Sequence, residues 1–280
     1  MKSFINGTYT GERALFNTSD ALISNSVFKD GESPLKESKD LKVVNCSFEW
    51  KYPLWYCTNV IVDSCTLLET ARSGIWYTKN ITMNNCDISA PKTFRRSEHI
   101  TLVNCNIPHA QETFWGCKDI NLTSVTANGD YFGMNADGVK IDHLTLKGNY
   151  CFDGGKNIVI RNSLLESKDS FWNSENITVY DSTIIGEYLG WNSKNVTFVN
   201  CTIESHQGLC YIKNIKLVNC KLVNTDLCFE FCEDIDAEII NVVDSIKNPT
   251  SGTIKVKGVK ELILEDKFVD ASKVKIIISK

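Results

Sequence analysis

Five of the six tryptophans recur at spacings close to multiples of 19 residues, a pattern that could build a binding surface. They are Trp55, Trp76, Trp115, Trp172 and Trp191. On a repetitive β-structure this register would place the indoles in one outward column. A contiguous column of exposed indoles is typical of a binding surface, and a flat indole suits the apolar face of a sugar ring. The alternative is that the rings stack on each other and only stiffen the structure.

Charged residues lie in the same column or three to four places before it. Cations come first, at Lys51, Arg72, Lys92 and Arg95, and the carboxylates Glu112, Asp130 and Asp153 follow. Neighbouring carboxylates can act as acid and base in glycosidic cleavage, and flanking cations can hold an anionic saccharide or neutralise developing charge. We predict catalytic roles for Lys92, Arg95, Glu112, Asp130 and Asp153. Of these, Glu112 or Asp130 would be the acid or base.

The predicted function is that of a carbohydrate-active or carbohydrate-binding protein for an anionic saccharide, of lyase or hydrolase type. The predicted substrate-binding residues are Lys51, Trp55, Arg72, Trp76, Trp115, Tyr131, Lys168, Asp169, Trp172, Glu187, Tyr188 and Trp191. Two alternatives stay open. The charged rows could be a solvated face, and the whole strip could be a scaffold that docks a protein or self-associates, because Trp, Tyr and Arg also anchor protein interfaces.

The element that must position these residues is a short repeated phrase. Examples are LKVVNCSF at 41–48, ITLVNCNI at 100–107 and VTFVNCTI at 196–203, and successive copies are 19 to 21 residues apart. Alternation of apolar and polar residues within each copy predicts two short strands with a bend between them. Stacked copies pair in parallel, about 4.8 Å apart. The sequence therefore predicts an all-β fold, a single-stranded right-handed parallel β-helix.

Two columns of the repeat are predicted to face inward. One contains small residues, six of them cysteines, and the other contains mainly phenylalanine and leucine. Small buried side chains in a regular column favour reduced core thiols over disulfides. No CxxC pair exists, which disfavours zinc.

The repeats predict one domain over residues 1–280, with an N-terminal cap at 1–20, regular coils at 21–240 and C-terminal coils or a cap at 241–280. The net charge is −4, and no basic run is present, so neither nucleic acid nor a membrane is expected as a partner. The first residues resemble no signal peptide, which favours a cytoplasmic location. No cofactor is expected, although calcium is left open, and so is a homo-oligomer.

The repeat resembles the pectin-lyase-like right-handed parallel β-helix superfamily over about residues 21–240. Several segments, among them WKYPLWYC at 50–57, GDYFGM at 129–134 and GEYLGW at 186–191, resemble an uncharacterised bacterial family of similar length that has no assigned activity. The first resemblance implies the fold. The second implies no reaction.

Two local features resemble enzymes of that superfamily. NADG at 135–138 is similar to the Asn-x-Asp-Gly motif of polygalacturonases, which implies roles for Asn135 and Asp137, but the other motifs of that family are missing. Pectate lyases use an arginine base together with calcium. By its position on an outer face, Arg95 would be the counterpart of that arginine.

Overall fold

The repeat folds as predicted into an all-β parallel β-helix, and the computed structural model describes residues 1–279. Strands one coil apart pair in parallel, and from residue 19 to residue 84 they do so without a shift of register. Register shifts occur between Leu217 and Cys220 and between Ile239 and Val242. In one inward row Ala21 pairs with Leu41, Leu41 with Val60 and Val60 with Ile81. Each pairing joins equivalent positions of the repeat, so the sequence period sets the register. Contacts divide the chain into two compact units, Met1–Leu146 and Lys147–Lys280. The prediction of one domain stays a prediction.

The first unit contains the strands up to β15 and one 3₁₀ helix at Glu69–Ala71. Its strands are β1 Lys2–Ile5, β2 Thr8–Tyr9, β3 Ser19–Ser24, β4 Val27–Phe28, β5 Lys39–Val44, β6 Ser47–Phe48, β7 Thr58–Asp63, β8 Thr66–Leu67, β9 Ile75–Trp76, β10 Lys79–Asn84, β11 Asp87–Ile88, β12 Phe94–Arg95, β13 Glu98–Ile107, β14 Lys118–Asn128 and β15 Asp137–Lys147. In the segment predicted as a cap, β1 and β2 pair in parallel with β3 and β4 and so form a first coil.

The second unit contains the remaining strands and a 3₁₀ helix at Ala271–Lys273. Its strands are β16 Lys156–Arg161, β17 Leu164–Glu166, β18 Glu175–Tyr180, β19 Thr183–Glu187, β20 Lys194–Val199, β21 Thr202–His206, β22 Lys213–Val223, β23 Glu233–Lys247, β24 Gly252–Ile263 and β25 Val274–Ile278. The last three strands pair in parallel, so residues 241–279 continue the coils. Within residues 1–279, no helix has the length and apolar character needed to cross a membrane.

Both predicted inward columns are buried. The column of small residues is Ser26, Cys46, Cys65, Cys86, Cys105, Val125 and Leu144 in the first unit and Ser163, Ser182, Cys201 and Cys220 in the second. In the other column, rings of successive coils stack, with centroids 4.8 Å apart for Phe94 and Phe114 and 5.8 Å apart for Phe152 and Phe171. All twelve cysteines are buried and free, in agreement with the predicted reduced core thiols.

The bends of each coil depend on residues with positive φ, among which asparagine is the commonest type. Asn176, Asn195 and Asn214 are the second residues of β18, β20 and β22, and their φ values are 60°, 55° and 59°. Short amide side chains tolerate this left-handed region better than most residues. The amides also form hydrogen bonds between coils, each donating to the asparagine one coil earlier. Asn195 Nδ2 donates to Asn176 Oδ1 at 2.8 Å, and Asn214 Nδ2 donates to Asn195 Oδ1 at 2.9 Å. Such amide ladders align the coils.

Candidate functional site

The tryptophan column and the charged positions before it lie on two sides of one turn in each coil. We call the first the outer row, which contains Trp55, Trp76, Arg95, Trp115, Met134, Asp153, Trp172, Trp191, Cys210 and Glu230. The turn row lies three places earlier and contains Tyr52, Ser73, Lys92, Glu112, Tyr131, Tyr150, Asp169, Tyr188, Gln207 and Leu227. Every member of the turn row has positive φ. The two residues between the rows point into the core, as Ser170 and Phe171 do.

In the first unit the outer row is a closed stack rather than an exposed strip. The rings of Trp55 and Trp76 are parallel, with centroids 5.1 Å apart. The guanidinium of Arg95 lies 4.8 Å from the ring centroids of both Trp76 and Trp115. Both faces of Trp76 are therefore occupied by its neighbours. The prediction that these indoles offer free faces to a ligand is wrong for Trp76, because cross-coil stacking uses the same faces.

The space between the two rows is also filled in the first unit. The rings of Tyr52 and Trp55 are in contact across the turn, with centroids 4.5 Å apart. The indole N–H of Trp76 donates to the carbonyl oxygen of Lys92 at 2.9 Å. The guanidinium of Arg95 also contacts the turn row, because Arg95 Nη2 donates to the carboxylate of Glu112. These contacts join the two rows at Trp55, Trp76 and Arg95.

Three of the predicted catalytic residues come together, but as an ion-pair cluster. Arg95 Nη2 lies 2.7 Å from Glu112 Oε2, and Lys92 Nζ lies 2.9 Å from Glu112 Oε1. Each carboxylate oxygen thus has its own cation. This geometry favours a structural role for Glu112, since both of its oxygens are engaged within the chain.

Four further residues predicted in the first unit have other surroundings. The side chain of Asp130 lines a separate polar recess of about 420 Å³ with His109 and Gln111. Lys51 Nζ is paired with Glu32 Oε1 at 3.2 Å. The remaining two, Arg72 and Tyr131, are exposed. The catalytic roles predicted for Lys92, Arg95, Glu112 and Asp130 stay predictions.

The NADG segment does not join either row. Asn135 is exposed with a φ of 55°, and Asp137 begins β15 after the next bend. The backbone N–H of Asp137 donates to the carbonyl oxygen of Cys117, one coil earlier. The roles that the similarity to the polygalacturonase motif implies for Asn135 and Asp137 stay predictions.

An open groove lies between the same two rows in the second unit. It has a volume of about 440 Å³ and is lined by Tyr150, Asp169, Trp172, Tyr188, Trp191 and Gln207. We call it the aromatic groove. Of its six residues the sequence predicted Asp169, Trp172, Tyr188 and Trp191 as ligand-binding and missed Tyr150 and Gln207. Both missed residues occupy the turn row, so the register could have identified them.

The groove is open because its tryptophans do not stack on each other. Trp172 and Trp191 occupy successive coils, as Trp55 and Trp76 do, but Trp191 stacks instead on Tyr211, with centroids 5.0 Å apart. Tyr188 meets Trp191 edge-on, with centroids 5.7 Å apart. Within residues 1–279 no aromatic ring or cation packs against the indole of Trp172. Trp172 thus has the free ring face that the predicted strip required.

Asp169 is the buried carboxylate of the groove, with 6% of the residue exposed. Within residues 1–279 its carboxylate has neither a hydrogen-bond partner nor an ion pair. Burial raises the pKa of Asp169 above its ordinary value of 3.8, and the charges of Glu187 and Asp153 raise it further, against the opposing effect of Lys168. Lys168 is itself paired with Glu187, at 3.0 Å from Nζ to Oε2. Asp169 therefore differs from Glu112, which occupies the same row with two cation partners.

A polar cluster limits the groove beyond Gln207. Gln207 Nε2 donates to Glu230 Oε2 at 2.9 Å, and Lys247 Nζ lies 2.8 Å from Glu230 Oε1. Glu230 belongs to the outer row and is almost fully buried. Asp153 of the outer row accepts a hydrogen bond from Asn173 Nδ2 at 3.4 Å. The catalytic role predicted for Asp153 stays a prediction.

No group of three or more His, Cys, Asp or Glu side chains suited to a metal ion occurs among residues 1–279. Calcium, which the sequence left open, therefore stays an untested expectation. The groove itself offers aromatic faces, one carboxylate and one amide. This set can bind a ligand that has apolar faces and hydrogen-bonding groups.

Comparison with known proteins identifies the family. The family model described as "Protein of unknown function (DUF3737)" matches residues 2–277. The chain belongs to the DUF3737 family. The predicted resemblance to an uncharacterised family is thereby confirmed, and so is the predicted β-helix. A comparison with curated proteins gave no match for this DUF3737 chain.

Several solved structures are similar to the DUF3737 chain at low identity. The HK620 tailspike of an E. coli bacteriophage, solved with a pentasaccharide, has 8% identity and a TM-score of 0.42 over 98% of this chain and 72% of its own. The A-module of the Azotobacter vinelandii mannuronan C-5 epimerase AlgE4 has 9% identity and a TM-score of 0.33 over 98% and 87%. The fluoroquinolone resistance protein QnrB1 has 13% identity and a TM-score of 0.35 over 70% and 93%. At these scores the matches carry no inference about function.

Proposed function

We propose that the aromatic groove of the second unit binds a saccharide. The observation that carries this proposal is the free indole of Trp172 at a groove that also holds Asp169 and Gln207. An indole face packs well against the C–H face of a sugar, while a carboxylate and an amide accept and donate hydrogen bonds to its hydroxyl groups.

Charge favours a neutral rather than an anionic saccharide at this groove, in contrast to the ligand predicted from the sequence. The nearby cations Lys168 and Lys247 are each paired with a glutamate. A uronate would meet the buried carboxylate of Asp169 without an unpaired cation to balance it. The expected cytoplasmic location favours a short oligosaccharide over a polymer.

The alternative function, docking of another protein, has less support. It requires exposed ring faces along the outer row, whereas Trp55, Trp76 and Arg95 pack their faces against each other. A docking role would also not require the recess beside Trp172.

The proposal is tested by calorimetric titration of the protein with a panel of neutral and uronic-acid oligosaccharides. We expect Trp172→Ala to weaken binding at least 10-fold, about 1.4 kcal/mol, because the stacking face is lost. Trp76→Ala, in the first unit, is the matched control and should leave the affinity unchanged. Gln207→Ala provides a second groove variant in case Trp172→Ala folds poorly. Equal affinity in wild type and both groove variants, or no binding of any saccharide, would refute the proposal.

A further inference from the structure

The aromatic groove has an unbalanced negative charge. Its carboxylates near the turn and outer rows include Asp169, Glu187 and Glu230, and the two lysines beside them are engaged by Glu187 and Glu230. His206, next to Gln207, is similarly paired with Asp226, at 2.8 Å from Nδ1 to Oδ1. Asp169 is the carboxylate that remains without a partner among residues 1–279. A buried carboxylate in this state is costly, and a cation brought by a ligand would offset the cost.

The walls of the groove suit a cation as well. Four of the six lining residues are aromatic, namely Tyr150, Trp172, Tyr188 and Trp191. Aromatic faces attract ammonium groups, and the attraction is stronger when water is excluded. A carboxylate backed by several aromatic rings is therefore a chemically coherent receptor for an amine.

The first unit contains a built-in example of this recognition. There the guanidinium of Arg95 lies between the faces of Trp76 and Trp115 and is bonded to the turn-row carboxylate of Glu112. In the second unit a turn-row carboxylate, Asp169, again lies beside outer-row indoles. Lys168 Nζ, which is paired with Glu187, lies 5.5 Å from the ring centroid of Tyr188, but within residues 1–279 no cation lies over the indole of Trp172 or Trp191. The second unit thus repeats the combination of a turn-row carboxylate and outer-row indoles, but among residues 1–279 no cation packs against those indoles.

We propose that the ligand of the aromatic groove carries a protonated amine, with Asp169 as its counter-ion and the indole of Trp172 against its sugar ring. The inference rests on the proposed saccharide function and names the ligand class as an amino sugar with a free amine. Neutral hydroxyls would occupy the same groove more weakly, because they do not balance the charge of Asp169.

The test compares three tetrasaccharides of matched length by calorimetry at pH 6.5: fully deacetylated glucosamine, N-acetylglucosamine and galacturonate. We expect glucosamine to bind at least 10-fold more tightly than its acetylated form, and galacturonate most weakly. Asp169→Asn should abolish the preference for the free amine while the acetylated tetramer still binds. Glu166→Gln, an exposed carboxylate outside the groove, should retain the preference.

The outcomes separate the two proposals. Equal or tighter binding of the acetylated tetramer would overturn the amine inference and leave saccharide binding intact. A preference for the amine that survives in Asp169→Asn would overturn the role of Asp169. Failure of all three tetramers to bind the wild-type protein would overturn both proposals.

Discussion

The contrast between Glu112 and Asp169 explains why one carboxylate of the turn row is structural and another is a candidate for binding. Both have positive φ and precede an outer-row tryptophan by three residues. Glu112 is neutralised by Lys92 and Arg95 from the preceding coil, whereas Asp169 is buried without such a partner. Both side chains are carboxylates, so the difference comes from the presence or absence of a cation one coil earlier that pairs with the carboxylate.

The raised pKa of Asp169 predicts how stability depends on pH. The folded state binds its proton more tightly than the unfolded state does, so ionised Asp169 destabilises the fold above its folded pKa, and this cost disappears below its unfolded value near 3.8. We expect Asp169→Asn to be more stable than wild type at pH 7, by about 1 kcal/mol or less, because the amide carries no charge for burial and the neighbouring carboxylates to penalise. The difference should shrink as the pH falls to about 3.5.

Urea unfolding of both proteins from pH 7 to pH 3.5 measures this difference, with Glu166→Gln as the exposed control that should change little. A less stable Asp169→Asn at pH 7, or a difference that does not change with pH, would contradict the prediction.

At the scale of the element, the bends and the rows are two consequences of one repeated backbone conformation. Each coil needs left-handed residues at its bends, and asparagines there bond to the next coil. The same conformation in the turn row directs its side chain to the outer row across the turn. Because every coil repeats this geometry, whether a groove opens depends on which side chains occupy the two rows and how they pack, as at Tyr188 and Trp191.

Substitution of a ladder asparagine tests the role of the bends. We expect Asn195→Ala to cost about 1–2 kcal/mol, because alanine is strained at a φ of 55° and both ladder bonds of Asn195 are lost. Asn195→Gly loses the same bonds but avoids the Cβ strain, and it should therefore cost less. Guanidinium unfolding gives both free energies. If glycine costs as much as alanine, strain at the bend is not the reason for asparagine.

At the scale of the whole molecule, the twelve thiols contribute packing and not covalent links. All are buried and free, and the Cys46, Cys65, Cys86 and Cys105 column repeats once per coil in the first unit. Burial raises the pKa of the Cys57 and Cys117 thiols to about 12, which keeps them protonated at neutral pH. A hydrogen bond from the neighbouring thiol of Cys65 instead lowers the pKa of Cys46 to about 7, so for that thiol it is burial that keeps a reagent away. We therefore expect the thiols to be inert while the chain is folded.

Thiol titration with a disulfide reagent at pH 8 checks this expectation. We predict almost no reaction in the native protein on the timescale of minutes, and twelve reacting thiols per chain in guanidinium. The melting temperature should be unchanged by dithiothreitol, because no disulfide is there to be reduced. Rapid reaction of native thiols, or a lower melting temperature in reductant, would contradict it.

The sequence by itself determined the fold, the inward columns and the two rows. Its period of 19 to 21 residues equals one coil, so equivalent residues must lie above one another, and alternation within each copy assigns them to the core or the surface. Four of the six groove residues were predicted in this way.

Only the tertiary structure decided which side chains form ion pairs or stack on each other. Three of the residues predicted to be catalytic form an ion-pair cluster. The tryptophans predicted as one exposed strip stack on each other at Trp55 and Trp76, whereas Trp172 and Trp191 line an open groove. Spacing places two indoles on successive coils in both cases. Whether they stack depends on competing partners, such as Tyr211 for Trp191, and this competition is settled by packing in three dimensions.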